Sequence, residues 1–261
     1  MNAVKQRLAE GGTAIGTMVT ELATPGIARL AAAAGAEFVL FDMEHTGYDF
    51  DRLRSVLAAA EASGTVPFLR VPDADYHFVS RGLDIGARGL MVPSVEDAEE
   101  AQAIARAARF PPVGKRGFGL IPLPAELAHL ELPAALAAVN DATLVLVQVE
   151  TAAGLERVDE IAAVDGVDVL WIGHFDLTAS LGIPGEFTSD RYREALDRVL
   201  AAGRAHGKPV GMVCGSVEEG AGLLERGFRL LAYSIDVLLY QEGVRAGIAG
   251  LASARDAIAR S

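Results

Sequence analysis

Asp42, Glu44 and His45 fall within four positions of "FDMEHTGYD" (residues 41–49), directly after the apolar run Phe38-Val39-Leu40. That run has the composition of a buried strand. An imidazole set among carboxylates is held in one tautomer and made more basic, so His45 is a candidate for moving protons near neutral pH. Comparable groups stand where other apolar runs stop. Arg70 closes "PFLR", Glu150 closes "TLVLVQVE", and Asp176 stands three residues beyond "VDVLWIG". An arginine directly after Phe68-Leu69 calls for an acid, a ligand or a cavity mouth.

Glu150 and Asp176 form the sharpest pair. On neighbouring parallel strands about 5 Å apart, both carboxylates could face one ion. Without cysteine or histidine beside them they suit a hard cation such as Mg²⁺ or Mn²⁺, with water and substrate completing its coordination. The structural alternative is that Asp176 caps the helix "DLTASLG" and Glu150 faces the dipole of the helix "TAAGLERVDEI". "IGHFDLTAS" (172–180) offers a seat for an anion, because Gly173 admits close approach and helix-start amides point outward.

These residues need elements to hold them. Eight short apolar or β-branched runs recur at 13–20, 38–44, 67–72, 89–94, 143–150, 167–173, 209–214 and 230–236, each followed by a helical stretch. Several are apolar on consecutive positions, as strands buried on both faces should be. The pattern predicts one (β/α)₈ TIM barrel over residues 1–261, with a doubly wound open sheet as the alternative. In the barrel the ends of these strands share one rim. "SVEDAEEAQAIARAAR" (94–109) reads as a helix with Ser94 as its cap, and residues 188–207 as a helix ending on Gly207. Residues 110–127 read as an irregular segment between strands, and "GKRGFG" (114–119) as a flexible basic loop without the surroundings of a phosphate loop.

Composition narrows the function further. The net charge is -12 and the 23 Lys and Arg are scattered, which argues against nucleic acid or an anionic membrane surface as partner. No run reaches the roughly 18 apolar residues of a membrane span. Cys214 is the only cysteine, so a cytoplasmic setting is expected. The only lysines are Lys5, Lys115 and Lys208, none at the C-terminal end of a strand, which disfavours a Schiff-base mechanism.

"FVLFDMEHTGYD", "PFLRVP", "LDIGARGLMVPSVEDAEEA", "RGFG", "VQVETAAGLERVDEIAAVDGVDVLWIGHFDLTASLG" and Gly207–Gly211 resemble, in order and spacing, the HpcH/HpaI family of metal-dependent pyruvate aldolases. The resemblance implies a phosphoenolpyruvate/pyruvate-domain-like barrel, assembled as a hexamer (a trimer of dimers) whose dimers exchange the last helix. The apolar run at 236–259 would supply that helix. A divalent cation (Mg²⁺, Mn²⁺ or Co²⁺) on Glu150 and Asp176 is implied, with Arg70 holding the enolate oxygen and Asp42 and Glu44 ordering water around the ion. His45 would move protons, paired with Asp84, and the substrate would be bound at Gly173, His174, Phe175 and Val213. The implied reaction is cleavage of a 4-hydroxy-2-oxo acid to pyruvate and an aldehyde, with ion-held hydroxide or the His45 and Asp84 pair as base. Alternatives are a coenzyme A thioester lyase of the citrate lyase beta-subunit type, or a non-catalytic 2-oxo-acid-binding oligomer. Relatives commonly carry proline at the position of His174, and differ after "RGFG", where this chain has "LIPLPAELAHL" (120–130).

Overall fold

The computed structural model describes residues 2–119, 127 and 129–260. Eight parallel strands close into a barrel in chain order: β1 (Ala14–Val19), β2 (Phe38–Asp42), β3 (Val66–Arg70), β4 (Gly89–Val92), β5 (Leu144–Val149), β6 (Val169–Ile172), β7 (Val210–Cys214) and β8 (Leu230–Ile235). Each overlaps the expected run. Pairing of β1 with β8, starting at Ala14 and Leu230, excludes the open sheet. The helices are α1 (Ala3–Ala9), α2 (Pro25–Ala33), α3 (Phe50–Ala62), α4 (Tyr76–Asp84), α5 (Ala98–Ala107), α6 (Leu132–Ala142), α7 (Ala152–Glu156), α8 (Val158–Ala162), α9 (His174–Ser180), α10 (Asp190–Ala205), α11 (Val217–Arg226) and α12 (Asp236–Ile258).

Alternate strand residues point into the barrel. Phe38 and Leu40, Val66 and Phe68, Leu144 and Leu146, and Val169 and Trp171 pack there, together with Val4 and Leu8 of α1. The residues between them, such as Val39, Leu69, Val145 and Leu170, pack in the outer layer against the helices. Phe38 and Phe68 stack with centroids 4.7 Å apart. Burying each ring contributes about 2 kcal/mol. Gly89 makes this possible, because a Cβ there would lie 2.3 Å from Cδ1 of Phe68. Continuing the same alternation up each strand brings Asp42, Arg70, Gln148, Glu150 and Gly173 to the mouth, so the hydrocarbon floor and the polar rim come from one pattern.

β8 departs from this alternation. Ser234 has φ 54°, and the pairing with β1 jumps from Gly16 opposite Ala232 to Met18 opposite Ile235. One extra residue on β8 makes a bulge, which turns Ile235 rather than Ser234 to the mouth. The next residue, Asp236, accepts bonds from the backbone N–H groups of Thr20, Glu21 and Leu22 at 2.9, 3.1 and 2.6 Å, and from Thr20 Oγ1 at 3.1 Å. Burial opposes its ionisation, but these donors outweigh it and hold the carboxyl below its usual range.

Two local expectations are corrected. Ser94 does not cap α5; Asp97 does, accepting from Glu100 N–H at 2.8 Å, because Ser94 stands at φ 53° with its donors turned to Glu150. Nor is 114–119 a free basic loop. Arg116 is buried, lies over the Phe110 ring at 4.5 Å and donates to Asp84 at 2.6 Å, while Gly117 N–H donates to Tyr76 Oη at 2.7 Å. α10 is capped by Ser189 and stops at Ala205, just short of Gly207. Residues 120–126 and 128 of the segment noted after "RGFG" lie outside the described residues. Among the described residues no helix is long and apolar enough to cross a membrane.

Candidate active site

The mouth holds a cavity of about 380 Å³. Asp42, His45, Arg70, Gln148, Gly173 and Asp176 form its polar wall.

Arg70 ends β3 in register with Asp42 of β2, so the two side chains meet across neighbouring strands. Nε and Nη2 donate to the two Asp42 oxygens, each at 2.8 Å, and Nη1 lies 3.1 Å from Glu44 Oε2. This bidentate grip fixes the guanidinium plane and leaves N–H groups on Nη1 and Nη2 for the cavity. Burial works against the charge of Arg70, but Asp42, Glu44 and Glu150 outweigh it and raise the pKa. Asp42 is thus the orienter of Arg70, with both oxygens committed.

Glu150 follows β5 and is almost wholly buried. Its Oε1 accepts from Ser94 N–H at 2.8 Å and Ser94 Oγ at 3.0 Å, and its Oε2 accepts from the Gln148 amide. Burial, with Glu44 and Asp176 adding to it, pushes the carboxyl up to about 7 against the pull of the Ser94 bonds. Gly173 must be glycine, because a Cβ there would stand 2.0 Å from Glu150 Oε2. Asp176 lies in the first turn of α9, whose N-cap is Gly173, so it is not the cap.

Glu44 is likewise raised, by burial first and then by Asp42 and Asp176, although Arg70 and His45 pull the other way. Its Oε2 is buried and, despite the ion-pair distance to Arg70, makes no hydrogen bond; Gln148 Oε1 is also buried without a donor. Converging acids and orphaned oxygens are what a bound cation would relieve. No group of three or more His, Cys, Asp or Glu is placed to hold an ion among the described residues. Glu150 and Asp176, close enough for the charge of one to act on the other, could hold a hard divalent ion that keeps other coordination positions for water and substrate.

His45 stands at the rim, largely exposed, with Nε2 3.8 Å from Glu44 Oε2. Asp84 is elsewhere. It ends α4, which runs from the β3 end of the mouth back towards the opposite rim, and it is bound to Arg116. The structure does not bring His45 and Asp84 together within one chain. Gly173 N–H is engaged by Val149 O at 3.4 Å, while the first-turn amides of α9, including that of Phe175, have no intrahelical acceptor. The His174 ring packs on Phe175 and Phe187 at 4.5 and 5.4 Å, and burial lowers its pKa against Glu219 and Asp176. Val213 lines the cavity.

Sequence reasoning missed Gln148 and Ser94. Gln148 shares the inward alternation of Leu144, Leu146 and Glu150 and is the one polar residue of β5, which could have revealed it. Ser94 gave no comparable sign, because a left-handed serine is a backbone property. A non-glycine residue in that conformation persists only where its surroundings hold it. Replacing Ser94 with alanine should weaken Mn²⁺ binding about 10-fold by calorimetric titration. Ser94→Gly, which keeps the backbone donor and adopts the left-handed conformation without strain, should lose as much through the missing hydroxyl; unchanged affinity would leave the N–H alone as the positioning group.

Residues 17–242 match the family described as HpcH/HpaI aldolase/citrate lyase. A hydroxypyruvate/pyruvate aldolase of Roseovarius nubinhibens is 34% identical over 249 residues, covering 95% of this chain and 96% of that one. A 4-hydroxy-2-oxovalerate aldolase of Novosphingobium aromaticivorans is also 34% identical, covering 95% of this chain and 94% of its own. The crystal structure of an HpcH/HpaI aldolase from Desulfitobacterium hafniense superposes with a TM-score of 0.89 at 30% identity, covering 96% of each chain. On sequence and fold, the chain belongs to the HpcH/HpaI aldolase/citrate lyase family.

Proposed function

We propose that the protein is a carbon-carbon lyase of the pyruvate aldolase type, reversibly cleaving a 4-hydroxy-2-oxo acid to pyruvate, or a close 2-oxo acid, and an aldehyde. The observation that carries this is Arg70, gripped by Asp42 across β2 and β3 with donors to spare for a cavity that Asp176 also lines, and near enough to Glu150 to feel its charge. The names of the relatives from Roseovarius and Novosphingobium support it.

In cleavage the bond between C3 and C4 breaks, its electron pair passes into the enolate of the 2-oxo acid, and C4 leaves as the aldehyde. The 4-hydroxyl proton goes to His45, the exposed imidazole at the mouth. Arg70 meets the negative charge that develops on the enolate oxygen, and its prior orientation means that little reorganisation is needed. The first-turn amides of α9 receive the substrate carboxylate. Glu150 and Asp176 would hold a divalent cation (Mg²⁺, Mn²⁺ or Co²⁺), which when bound supplies further charge stabilisation at the 2-oxo group. A water at the open mouth then protonates C3, and His45 passes the 4-hydroxyl proton back to the hydroxide left behind, which completes the reaction.

α12 supports a homo-oligomer. Of its 23 residues only Asp236 is buried, and Tyr240, Val244, Ile248 and Leu251, three or four residues apart, are exposed. Exchange of this helix in a dimer, and a hexamer built from such dimers, would cover that stripe. In such an assembly Asp84 would have to reach His45 from a second copy. A lone buried cysteine fits a cytoplasmic setting.

The test is exchange of the pyruvate methyl protons with D₂O, followed by NMR with Mg²⁺ as the ion, because paramagnetic Mn²⁺ would broaden the lines. The methyl signal should decay with enzyme and persist without it. A protein that binds pyruvate yet leaves the methyl protons in place would be a binding module and no lyase.

A further inference from the structure

A second cavity, of about 510 Å³, lies at the starts of β5 and β6, on the rim opposite the mouth. Lys5 of α1, Arg106 and Arg109 at the end of α5, Asp141 of α6 and Asp165 before β6 supply its charged lining. Arg109 is only 8% exposed. Its Nη2 donates to Asp168 Oδ2 at 2.8 Å and to the carbonyls of Gly166 and Thr143 at 3.3 and 3.4 Å, while its Nη1 is buried and has no acceptor. Lys5 Nζ lies 3.0 Å from the other oxygen of the same Asp168. Two cations thus share one carboxylate, and this inner group is left with an excess positive charge and an unmet donor. Buried charges and donors are ordinarily paired. Farther out, Arg106 is exposed and its side chain makes no hydrogen bond or ion pair among the described residues. Asp141 and Asp165 are exposed beside these cations. Asp165 adjoins Gly166, whose carbonyl Arg109 holds, and Asp141 is near enough to Lys5 to act on its charge.

We propose that this cavity binds a small α-amino acid, its carboxylate turned inward to Arg109 and Arg106 and its ammonium outward to Asp141 and Asp165. The carboxylate supplies the acceptor and the negative charge that the inner group lacks, through charge-assisted hydrogen bonds. The ammonium answers the two acids at the lip. An inorganic phosphate would meet the cations equally well, but its extra negative charge would face Asp141 and Asp165 with nothing to offset it. The apolar lining is limited to Ala105 and Val113, which leaves room beside the charged ends for a short hydrocarbon side chain. None of these residues lines the mouth, so the site stands apart from the lyase reading and does not depend on it.

The experiment is calorimetric titration of the whole protein with L-alanine, with propionate, which lacks the ammonium, and with ethylamine, which lacks the carboxylate. L-Alanine should bind about 10-fold or more tightly than either. Arg106→Gln should weaken L-alanine and propionate alike, about 10-fold, whereas the double variant Asp141→Asn/Asp165→Asn should weaken L-alanine and leave propionate unchanged or improved. All three positions are exposed, so both variants should melt as the native protein does. Arg109→Lys, which keeps a cation for Asp168 but loses the planar donor edge, should also weaken both ligands. The proposal is overturned if L-alanine gives no binding heat, if propionate or inorganic phosphate binds as tightly as L-alanine, or if L-alanine binds Arg106→Gln and the double variant as tightly as the native protein.

Discussion

Arg70→Ala should lower pyruvate proton exchange, and cleavage with it, on the order of 10²-fold or more. A donor aimed at charge that develops only in the transition state is worth several kcal/mol, and each 1.4 kcal/mol is about a factor of ten in rate. Arg70 is built for that role, since Asp42 holds two of its nitrogens and Glu44 sits beside the third. Alanine would also strand Asp42, which is wholly buried. Removing one member of a buried pair costs about 3–5 kcal/mol, so the variant should also melt earlier. Arg70→Lys separates the effects. It keeps a positive charge for Asp42 but cannot reproduce the planar grip, so stability should largely return while exchange stays low. Unchanged exchange in either variant would remove Arg70 from enolate stabilisation.

Chelation with EDTA should abolish cleavage, and Mg²⁺, Mn²⁺ or Co²⁺ should restore it. Burial raises the Glu150 carboxyl, and the nearby charges of Glu44 and Asp176 add to it, an arrangement that a cation stabilises. The competing route, a Schiff base, needs a lysine at the mouth. Lys5 is tied to Thr143 O and Asp168, Lys208 to Val167 O, and Lys115 lies outside the cavity lining. Activity that survives chelation and is trapped by borohydride would sink the metal reading in favour of that route.

The barrel was legible because its strands are buried on both faces and read as continuous apolar runs, as in Leu144–Val149. The charged strand ends were legible for the converse reason. A polar residue straight after such a run, like Arg70 or Glu150, has few places to go but the mouth. What escaped depends on backbone torsion or on distant pairing. Ser94 looks like a cap in one dimension and becomes a ligand for Glu150 only through its left-handed conformation. Ile235 exchanges sides with Ser234 through a single extra residue. Arg116 looks like part of a free basic loop until Asp84, 32 residues earlier, is brought beneath it. Asp84 itself was grouped with His45 by resemblance, although α4 carries it away within one chain.

The alternation that fills the barrel floor with Phe38, Phe68, Leu146 and Trp171 also sets how such a protein can change by descent. Its interior is hydrocarbon up to the level of Leu40 and Met91, and chemistry begins at the next inward position, Asp42 on β2. A lineage can therefore exchange rim residues while the floor keeps the barrel closed, because floor and rim are separate layers of the same strands.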